Sequence, residues 1–201
     1  MSVAYFERSA LVPKPWKNGG GVTREIVSYP PGAGIEDFEW RVSIATIAAD
    51  GPFSVFNGID RVITLLRGAG MRLRSLDFDR WLDQPLEPFA FRGEAPVECT
   101  LLSGESQDFN VMTRREQLRA DVRVVSGAQR TDSALHGLLF ATRGTWDVQL
   151  SGSASETRRT LHADTGLWWS DELLSCRLSP SSADAALIAV RLVRAEKDSG
   201  T

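Results

Sequence analysis

Residues Pro15 to Ile26 have the sequence PWKNGGGVTREI, in which three consecutive glycines separate an aromatic–amide pair from a strand-like run. Glycine lacks a Cβ atom and reaches positive φ, so this run lets the backbone approach a ligand or another strand closely. The alternation that begins at Val22 indicates a β-strand rather than a helix N-terminus, which argues against a phosphate-binding loop. The segment is a candidate binding site, and a tight Asn-Gly hairpin turn is the alternative interpretation.

The same alternation recurs along the chain in short runs bounded by Gly, Pro, Asp and Ser, which is typical of a mostly β protein. No long amphipathic helix is visible, and Arg114 to Ala120 is predicted to form one helical turn that connects two halves. The predicted strands are Thr23 to Tyr29, Phe38 to Ile47, Arg61 to Leu66, Met71 to Leu76, Val97 to Leu102, Asp108 to Met112, Val122 to Val125, Leu135 to Ala141, Thr145 to Leu150, Gly166 to Trp169, Leu173 to Leu178 and Ala185 to Val193.

A weak internal repeat predicts that these strands form two units. Leu66-Arg67-Gly68-Ala69 aligns with Thr142-Arg143-Gly144-Thr145. The same shift lays Leu102-Ser103 and Asp108 on Leu178-Ser179 and Asp184. Many short strands in a duplicated arrangement predict paired β-sandwiches or barrels.

Composition excludes several classes of partner. The chain has 201 residues, 42% of them hydrophobic, with a formal net charge of -3 and a pI of about 5.5. This balance supplies no basic field for a phosphate backbone, so we expect no nucleic-acid partner. No apolar run resembles a signal-peptide core or a bilayer span, so we expect no membrane association and a cytoplasmic location. Cys99 and Cys176 lie in apolar strand-like runs, which predicts reduced buried thiols.

Polar side chains share faces on the predicted strands, because alternate residues of a strand point to the same side. Arg41 and Ser43 lie together on one face. Asp108, Asn110 and Met112 lie together on another strand and offer an acceptor, an amide and an adaptable apolar contact. These faces predict a small-molecule pocket with few polar anchors.

Arg61 is the predicted anchor of that pocket. It follows the Asp60 turn, from which a guanidinium could reach a barrel mouth and bind a carboxylate through two hydrogen bonds. Trp16, Asn18 and Thr23 are predicted to line the same pocket. The alternative is that the arginines form structural ion pairs. In that interpretation Arg41, Arg61 and Arg115 pair with Asp60, Asp108 or Glu25.

Four motifs together resemble the HutD/Ves family, densely from Pro13 to Arg115 and more thinly beyond. They are Trp16-x-Asn18-Gly19-Gly20-Gly21-x-Thr23-x-Glu25-Ile26, Phe38-x-Trp40-Arg41-x-Ser43-x-Ala45-x-Ile47, Gly51-Pro52-Phe53-Ser54-x-Phe56-x-Gly58-x-Asp60-Arg61 and Asp108-Phe109-Asn110-x-Met112-x-Arg114-Arg115.

The resemblance implies an all-β bicupin of the RmlC-like jelly-roll superfamily, with two cupin-like β-barrels in one chain and a homodimer as the usual assembly. We expect the first barrel at residues 1–115 and the second at 116–201. Residues 1–12 would partly form an exchanged or packing N-terminal strand. The HutD branch is associated with histidine utilisation and is thought to bind a pathway intermediate, whereas the Ves branch is loosely tied to stress. No secure enzymatic activity comes with the family.

Metal and cofactor chemistry is not expected. Many cupins hold a metal through several histidines and a carboxylate. This chain has two histidines, His136 in an apolar run and His162 in a polar turn, both far along the sequence from the glycine segment. The motifs of serine hydrolases, P-loops and dinucleotide-binding folds are also missing from the sequence. We therefore expect no metal and no cofactor.

The leading hypothesis is a metal-independent protein that binds a small organic anion such as urocanate, formiminoglutamate or formylglutamate without turning it over. Arg61 would anchor the carboxylate, and Arg41, Asn18 and Asn110 would orient the ligand beneath Trp16. One alternative is a metal-free isomerase or hydrolase with Asp108 or Glu25 as general base. Another is a stress-related interaction module that uses Trp168-Trp169 and Leu173-Leu174 as its contact surface.

Overall fold

The computed structural model describes residues 3–152 and 156–195, and their regular secondary structure is almost entirely β-strand. One 3-10 helix covers Arg8–Ala10. The strands are β1 (Val3–Glu7), β2 (Pro13–Pro15), β3 (Gly21–Tyr29), β4 (Trp40–Ile47), β5 (Gly51–Pro52), β6 (Ile59–Arg67), β7 (Met71–Arg74), β8 (Asp79–Leu82), β9 (Pro88–Arg92), β10 (Glu98–Leu101), β11 (Ser106–Arg114), β12 (Leu118–Val125), β13 (Gln129–Arg130), β14 (His136–Arg143), β15 (Thr145–Ser151), β16 (Glu156–His162), β17 (Thr165–Trp169), β18 (Ser175–Pro180) and β19 (Ala186–Arg194).

The described residues divide into two compact units. The unit called the first barrel here contains residues 12–119 with 194–195, and the second barrel contains residues 3–11, 120–152 and 156–193. The N-terminal strand β1 pairs antiparallel with β17 of the second barrel along its whole length. Residues 3–7 thus extend the sheet of the second barrel rather than that of the first.

The first barrel contains a six-stranded sheet in the order β2-β3-β4-β11-β6-β9 and a four-stranded sheet in the order β5-β10-β7-β8. Alternate residues of both sheets point inward, as the period of a strand requires. Ile63 and Leu65 of the larger sheet pack in one cluster with Met71 and Leu73 of the smaller sheet. This cluster fills one part of the barrel and leaves the remainder for polar side chains.

The second barrel repeats this plan. Its sheets have the orders β1-β17-β14-β19-β12 and β13-β18-β15-β16. Hence β12-β19-β14-β17 corresponds to β4-β11-β6-β9, and the two smaller sheets correspond strand for strand. The register of β11 against β6 shifts between Gln107 and Asp108, and the register of β14 against β19 shifts at the matching place, between Ala141 and Arg143.

The repeated Arg-Gly segment has the same structural role in both barrels. Gly68 and Gly144 each follow a strand of the large sheet and adopt positive φ. A Cβ atom on Gly68 would lie 2.7 Å from Ser106 Oγ, and a Cβ atom on Gly144 would likewise collide with Ser182 Oγ. The turn needs glycine because a serine packs against it in both places.

The predicted all-β class is confirmed, and each of the twelve predicted strands overlaps an observed strand. The predicted helical turn over Arg114 to Ala120 is wrong. Strand β11 continues to Arg114, the Gln117 N–H donates to the Arg114 carbonyl in a tight turn, and β12 begins at Leu118. In the described part of the chain no helix is long and apolar enough to cross a bilayer.

The glycine run of the opening segment is the loop of a hairpin between β2 and β3. Gly19 has a φ of 73°, and the Gly20 N–H donates to Asn18 Oδ1 at 3.0 Å. A Cβ atom on Gly21 would collide with the carbonyl oxygen of Thr46 and lie 3.3 Å from the Trp16 ring. Gly21 is thus required by the close approach of β4, and the tight-turn interpretation describes Gly19 and Gly20.

Gly21→Ala should lower the free energy of unfolding by about 1–3 kcal/mol, because the added methyl group meets backbone that cannot rotate away. Gly20→Ala is the matched control, since its Cβ atom would lie 3.4 Å from Asn18 Oδ1, an ordinary contact. Urea unfolding of the two variants measures the difference. Equal stability of the two variants would contradict this account of Gly21.

Candidate ligand-binding site

A cavity of about 450 Å³ lies in the first barrel. It is bounded by the face of the six-stranded sheet, by the β2–β3 hairpin and by the segment after β5. All nine residues that the sequence predicted for a pocket line it: Trp16, Asn18, Thr23, Arg41, Ser43, Arg61, Asp108, Asn110 and Met112. The residues that sequence reasoning did not propose for the lining are Pro15, Lys17, Ile35, Ala45, Pro52, Phe53, Ser54 and Phe56.

The floor of the cavity consists of cross-strand rows from β4, β11 and β6. Residues directly opposite each other in paired strands lie side by side on the same face. The first row is Arg41, Met112 and Arg61, the second is Ser43, Asn110 and Ile63, and the third is Ala45, Asp108 and Leu65. Ile63 and Leu65 end their rows in the core cluster and do not line the cavity. The floor is therefore basic at one end, uncharged and polar in the middle, and acidic at the other end.

Arg61 is a buried cation with an incomplete set of hydrogen bonds. The residue is 7% exposed, and its Nε donates to Asn110 Oδ1 in a long hydrogen bond of 3.5 Å. Among the described residues no acceptor lies within hydrogen-bond distance of its terminal nitrogens. Burial lowers the pKa of Arg61 to about 10, with the nearby Asp108 opposing this effect, so the side chain remains charged at neutral pH.

Aromatic rings surround the Arg61 guanidinium. Its Cζ lies 5.3 Å from the ring centre of Phe53, 5.7 Å from that of Phe56 and 5.0 Å from that of Phe91. The electron-rich faces of aromatic rings attract a cation but accept no conventional hydrogen bond. The sequence gives no signal for this role of Phe53 and Phe56, because their motif shows only two aromatics after a Gly-Pro turn.

The other two arginines do form ion pairs. Arg41 Nε donates to Glu25 Oε2 at 2.8 Å, and its Nη1 lies 3.9 Å from the Met112 sulfur. Arg115 donates to Asp60 at 2.7 Å and to Glu94 at 2.7 Å. The ion-pair interpretation therefore describes Arg41 and Arg115, and it does not describe Arg61.

Asp108 is the buried acid of the floor. The residue is 2% exposed, and no described residue donates a hydrogen bond to its carboxylate. Burial raises the pKa of Asp108 to about 7, and the charge of Arg61 opposes this effect. Near neutral pH the carboxyl group is therefore divided between its neutral and charged forms.

The β2–β3 hairpin forms the lip of the cavity. Trp16 Nε1 donates to Thr23 Oγ1 at 2.7 Å, which holds the indole across the strand and leaves the Thr23 hydroxyl proton available to an acceptor. The side-chain oxygen Oδ1 of Asn18 accepts a hydrogen bond from the Gly20 N–H, so the side-chain N–H₂ group of Asn18 remains for a ligand.

The described residues contain no group of three His, Cys, Asp or Glu side chains arranged to hold a metal ion. Both histidines belong to the second barrel. The Asp171 N–H donates to His136 Nδ1 at 3.3 Å, and His162 Nδ1 lies 3.4 Å from Thr145 Oγ1 on the surface. The cavity lining itself offers one carboxylate and neither histidine nor cysteine.

In the described part of the second barrel, the positions that match Arg61, Asp108 and Asn110 carry no polar side chain. Counting from the matched register shifts, Gly137 stands where the first barrel has Arg61. The Trp169 ring packs directly over Gly137, in the space that a side chain would need. Leu187 and Ala189 occupy the positions of Asp108 and Asn110, and both belong to the apolar core.

Stability should depend on pH through Asp108. Its raised pKa means that the folded state holds a proton between about pH 4 and 7 that the unfolded chain releases, so the free energy of unfolding falls as pH rises through that window. Asp108→Asn removes this titration. The variant should therefore exceed the wild type in stability at pH 8 and lose that advantage toward pH 4. The size of the stability difference follows from the proton affinity of Asp108. Each tenfold difference in this affinity between the folded and unfolded states corresponds to about 1.4 kcal/mol.

Urea unfolding at several pH values between 4 and 8 measures the difference. Glu105→Gln controls for the loss of one exposed carboxylate. A difference between Asp108→Asn and the wild type that stays constant across this range would contradict the assignment.

Comparison with known proteins agrees with this architecture. HutD from Pseudomonas fluorescens SBW25, solved in a formate condition, is 34% identical with a TM-score of 0.80, and the match covers 96% of this chain and 99% of that one. The conserved protein of unknown function PA5104 from Pseudomonas aeruginosa PAO1 is 33% identical with a TM-score of 0.83 and the same coverage, 96% and 99%.

A more distant likeness concerns the fold alone. The oxalate decarboxylase of Lactobacillus farciminis is 8% identical with a TM-score of 0.66, over 94% of this chain and 88% of that one. It confirms the predicted bicupin fold of two jelly-roll barrels. The family model described as HutD matches residues 8–187. On this match and on the two relatives above 30% identity, the chain belongs to the HutD family.

Proposed function

We propose that this protein binds a small carboxylate-bearing metabolite in the cavity of the first barrel without the help of a metal ion. The observation that carries the proposal is the Arg61 guanidinium, which is buried and charged while its terminal nitrogens have no acceptor among the described residues. A buried cation without a hydrogen-bonded anion is costly to the folded state. A ligand carboxylate that accepts two parallel hydrogen bonds from Arg61 offsets that cost.

The surroundings of Arg61 support an organic anion rather than a simple inorganic one. Three phenylalanine rings provide apolar surface around the guanidinium. A cavity of about 450 Å³ is within the usual range for small-molecule sites. In this proposal Arg41 is a second positive charge, oriented by Glu25, at the same end of the floor. Asn110 and Ser43 contribute polar contacts in the middle, Asn18 and Thr23 contribute donors at the lip, and the Trp16 indole covers the ligand.

Histidine degradation supplies candidate ligands through the family association, namely urocanate, formiminoglutamate and formylglutamate. Each of these compounds carries at least one carboxylate. The Pseudomonas fluorescens HutD structure comes from a formate condition, and formate is the simplest carboxylate. The role in this proposal is to hold such an intermediate as part of the regulation of histidine utilisation.

A thermal-shift panel with these three acids tests the proposal. A ligand that binds only the folded state raises the unfolding temperature. At a free ligand concentration of one hundred times the Kd, it adds about 2.7 kcal/mol to the free energy of unfolding. Arg61→Ala should abolish the rise in unfolding temperature. Arg177→Ala is the matched control, because this exposed arginine of β18 lies in the second barrel, and that variant should keep the full rise.

Two results would contradict this assignment. A wild-type protein whose unfolding temperature does not change with any of the three acids at millimolar concentration would exclude these ligands. An undiminished rise in Arg61→Ala would remove Arg61 as the anchor.

Asp108 favours a second candidate function, a metal-free isomerase or hydrolase. A buried carboxyl group in a cavity, with a pKa of about 7, has the proton affinity that a general base needs at neutral pH. Of the two acids considered from the sequence, Glu25 is already engaged by Arg41 at 2.8 Å. Asp108 is therefore the stronger candidate for the base.

Turnover measurements distinguish ligand binding without reaction from catalysis. If the protein is an enzyme, the wild type converts a bound acid, and Asp108→Asn binds the same acid but loses at least about a hundredfold in rate, the usual contribution of a general base. Incubation with each acid, followed by separation of the products, gives the rates. A wild type that binds an acid and returns it unchanged would exclude the catalytic role for that acid.

The contact-surface alternative rests on fewer residues than the sequence suggested. Trp169 and Leu174 are fully buried in the second-barrel core, whereas Leu173 is 58% exposed and Trp168 is half-buried. Trp169 Nε1 donates to the Ala134 carbonyl at 3.0 Å, which fixes the ring inside. Dimer formation and a cytoplasmic location stay predictions.

A further inference from the structure

We propose that Asp108 recognises an N–H donor on the ligand, so that the site selects carboxylates that carry such a donor over carboxylates of the same size that lack one. This inference rests on the proposed function, since it concerns the same cavity. It adds a second point of recognition at the opposite end of the floor from Arg41, and it names the class of ligand more narrowly than a carboxylate alone.

The first argument is the missing partner of Asp108. An ionised carboxylate only accepts hydrogen bonds, and a buried one without donors is destabilising. Its neighbours in the third row, Ala45 and Leu65, are aliphatic and offer no donor. Arg61 is close enough to influence Asp108 electrostatically, yet its Nε is directed to Asn110. Because Asp108 lines the cavity, its carboxylate can accept a hydrogen bond from a group bound there.

The second argument is the charge distribution around this carboxylate. On β6, the cation that acts on Asp108 is Arg61. On β4, the cation of the floor is Arg41, which already forms an ion pair with Glu25. Asp108 also lies near the β10 residue Cys99, whose pKa is raised to about 12 by burial and, secondarily, by Asp108. Lys17 lines the cavity at the lip. Once a ligand carboxylate occupies Arg61, the cation that stabilises ionised Asp108 is partly neutralised, and a ligand N–H becomes the natural replacement.

The third argument comes from the duplicated barrel. The position of Asp108 is filled by Leu187 in the second barrel, where the same strand pairing and the same register shift occur. The architecture therefore accepts an aliphatic side chain at this point, and a carboxylate there is not a requirement of the fold. A residue that costs stability without serving the fold is expected to serve the site.

Two probes of nearly equal shape test the inference. Urocanate carries an imidazole N–H beside its acrylate carboxylate, and 3-(3-furyl)acrylate keeps the carboxylate and the five-membered ring but has no N–H. Isothermal titration calorimetry gives both affinities. The wild type should bind urocanate about tenfold to a hundredfold more tightly, the range that a hydrogen bond to a charged group represents.

Variants at one position then assign the preference. Asp108→Leu, which copies the second barrel, should bind the two probes within about threefold of each other, the natural scatter of such contributions. Asp108→Asn keeps an acceptor oxygen without the charge, so it should keep part of the preference. It also provides the test if the leucine variant does not fold.

Proton exchange provides an independent readout, from titrations in buffers of different ionisation enthalpy. In the wild type the furan acid should bind with proton uptake, because an anion beside Asp108 favours its neutral form. Urocanate should bind with less uptake or with release, because its N–H favours the charged form. Asp108→Asn should remove this difference between the probes.

The outcomes distinguish this inference from the proposed function. Equal affinity of both probes in the wild type, with binding still dependent on Arg61, would overturn the role of Asp108 and leave carboxylate binding intact. A preference for urocanate that persists in Asp108→Leu would also overturn it. Absence of binding by either probe would contradict both proposals together.

Discussion

The register of β11 between β4 and β6 is the constraint on which the site depends. Side chains alternate between the two faces of a strand, so a slip of one residue would turn every pocket residue of β11 away from the cavity. The observed pairing places Met112 between Arg41 and Arg61, and Asp108 between Ala45 and Leu65. The basic and acidic ends of the floor are therefore consequences of backbone hydrogen bonds that involve no pocket side chain.

The duplicated barrel shows what the same constraint produces with other side chains. Gly137 replaces Arg61, the Trp169 ring occupies the space above it, and Leu187 stands in place of Asp108. The result is a closed apolar core, because the aromatic ring and the aliphatic chains fill the interior at low cost. One architecture thus gives a packed barrel and a barrel with a charged cavity, and a few inward positions make the difference.

The cavity of the first barrel carries two charged groups that burial disfavours. Desolvation lowers the pKa of Arg61 and raises that of Asp108, so each group is held in an environment that opposes its charge. They partly stabilise each other without a direct hydrogen bond. Such an arrangement reduces the stability of the empty protein and leaves hydrogen-bonding capacity for a ligand. The ion pairs of Arg41 and Arg115 lack this property, since their carboxylate partners are already supplied by the chain.

Much of this protein could be predicted from the order of its residues. Period-two alternation located the twelve main strands, and the shared faces of Arg41 with Ser43, and of Asp108 with Asn110 and Met112, follow from the same period. The strands outside the twelve predicted ranges are β1, β2, β5, β8, β9, β13 and β16. Of these, β5 and β13 contain only two residues each and therefore show no period. The turn after Arg114 was misassigned for the related reason that a charged tight turn and a helical turn look alike in sequence.

Tertiary structure decided the rest, because it depends on contacts between residues that are distant in the chain. Only the fold shows that Gly21 must be glycine because the Thr46 carbonyl approaches it closely. Only the fold shows that Phe53 and Phe56, which pack against the core clusters, also face the Arg61 guanidinium. The sequence alone determined which side chains share a face, since that requires only the local period of a strand. Which arginine stays without an anion could be decided only in three dimensions, because pairing is set by cross-strand register and burial.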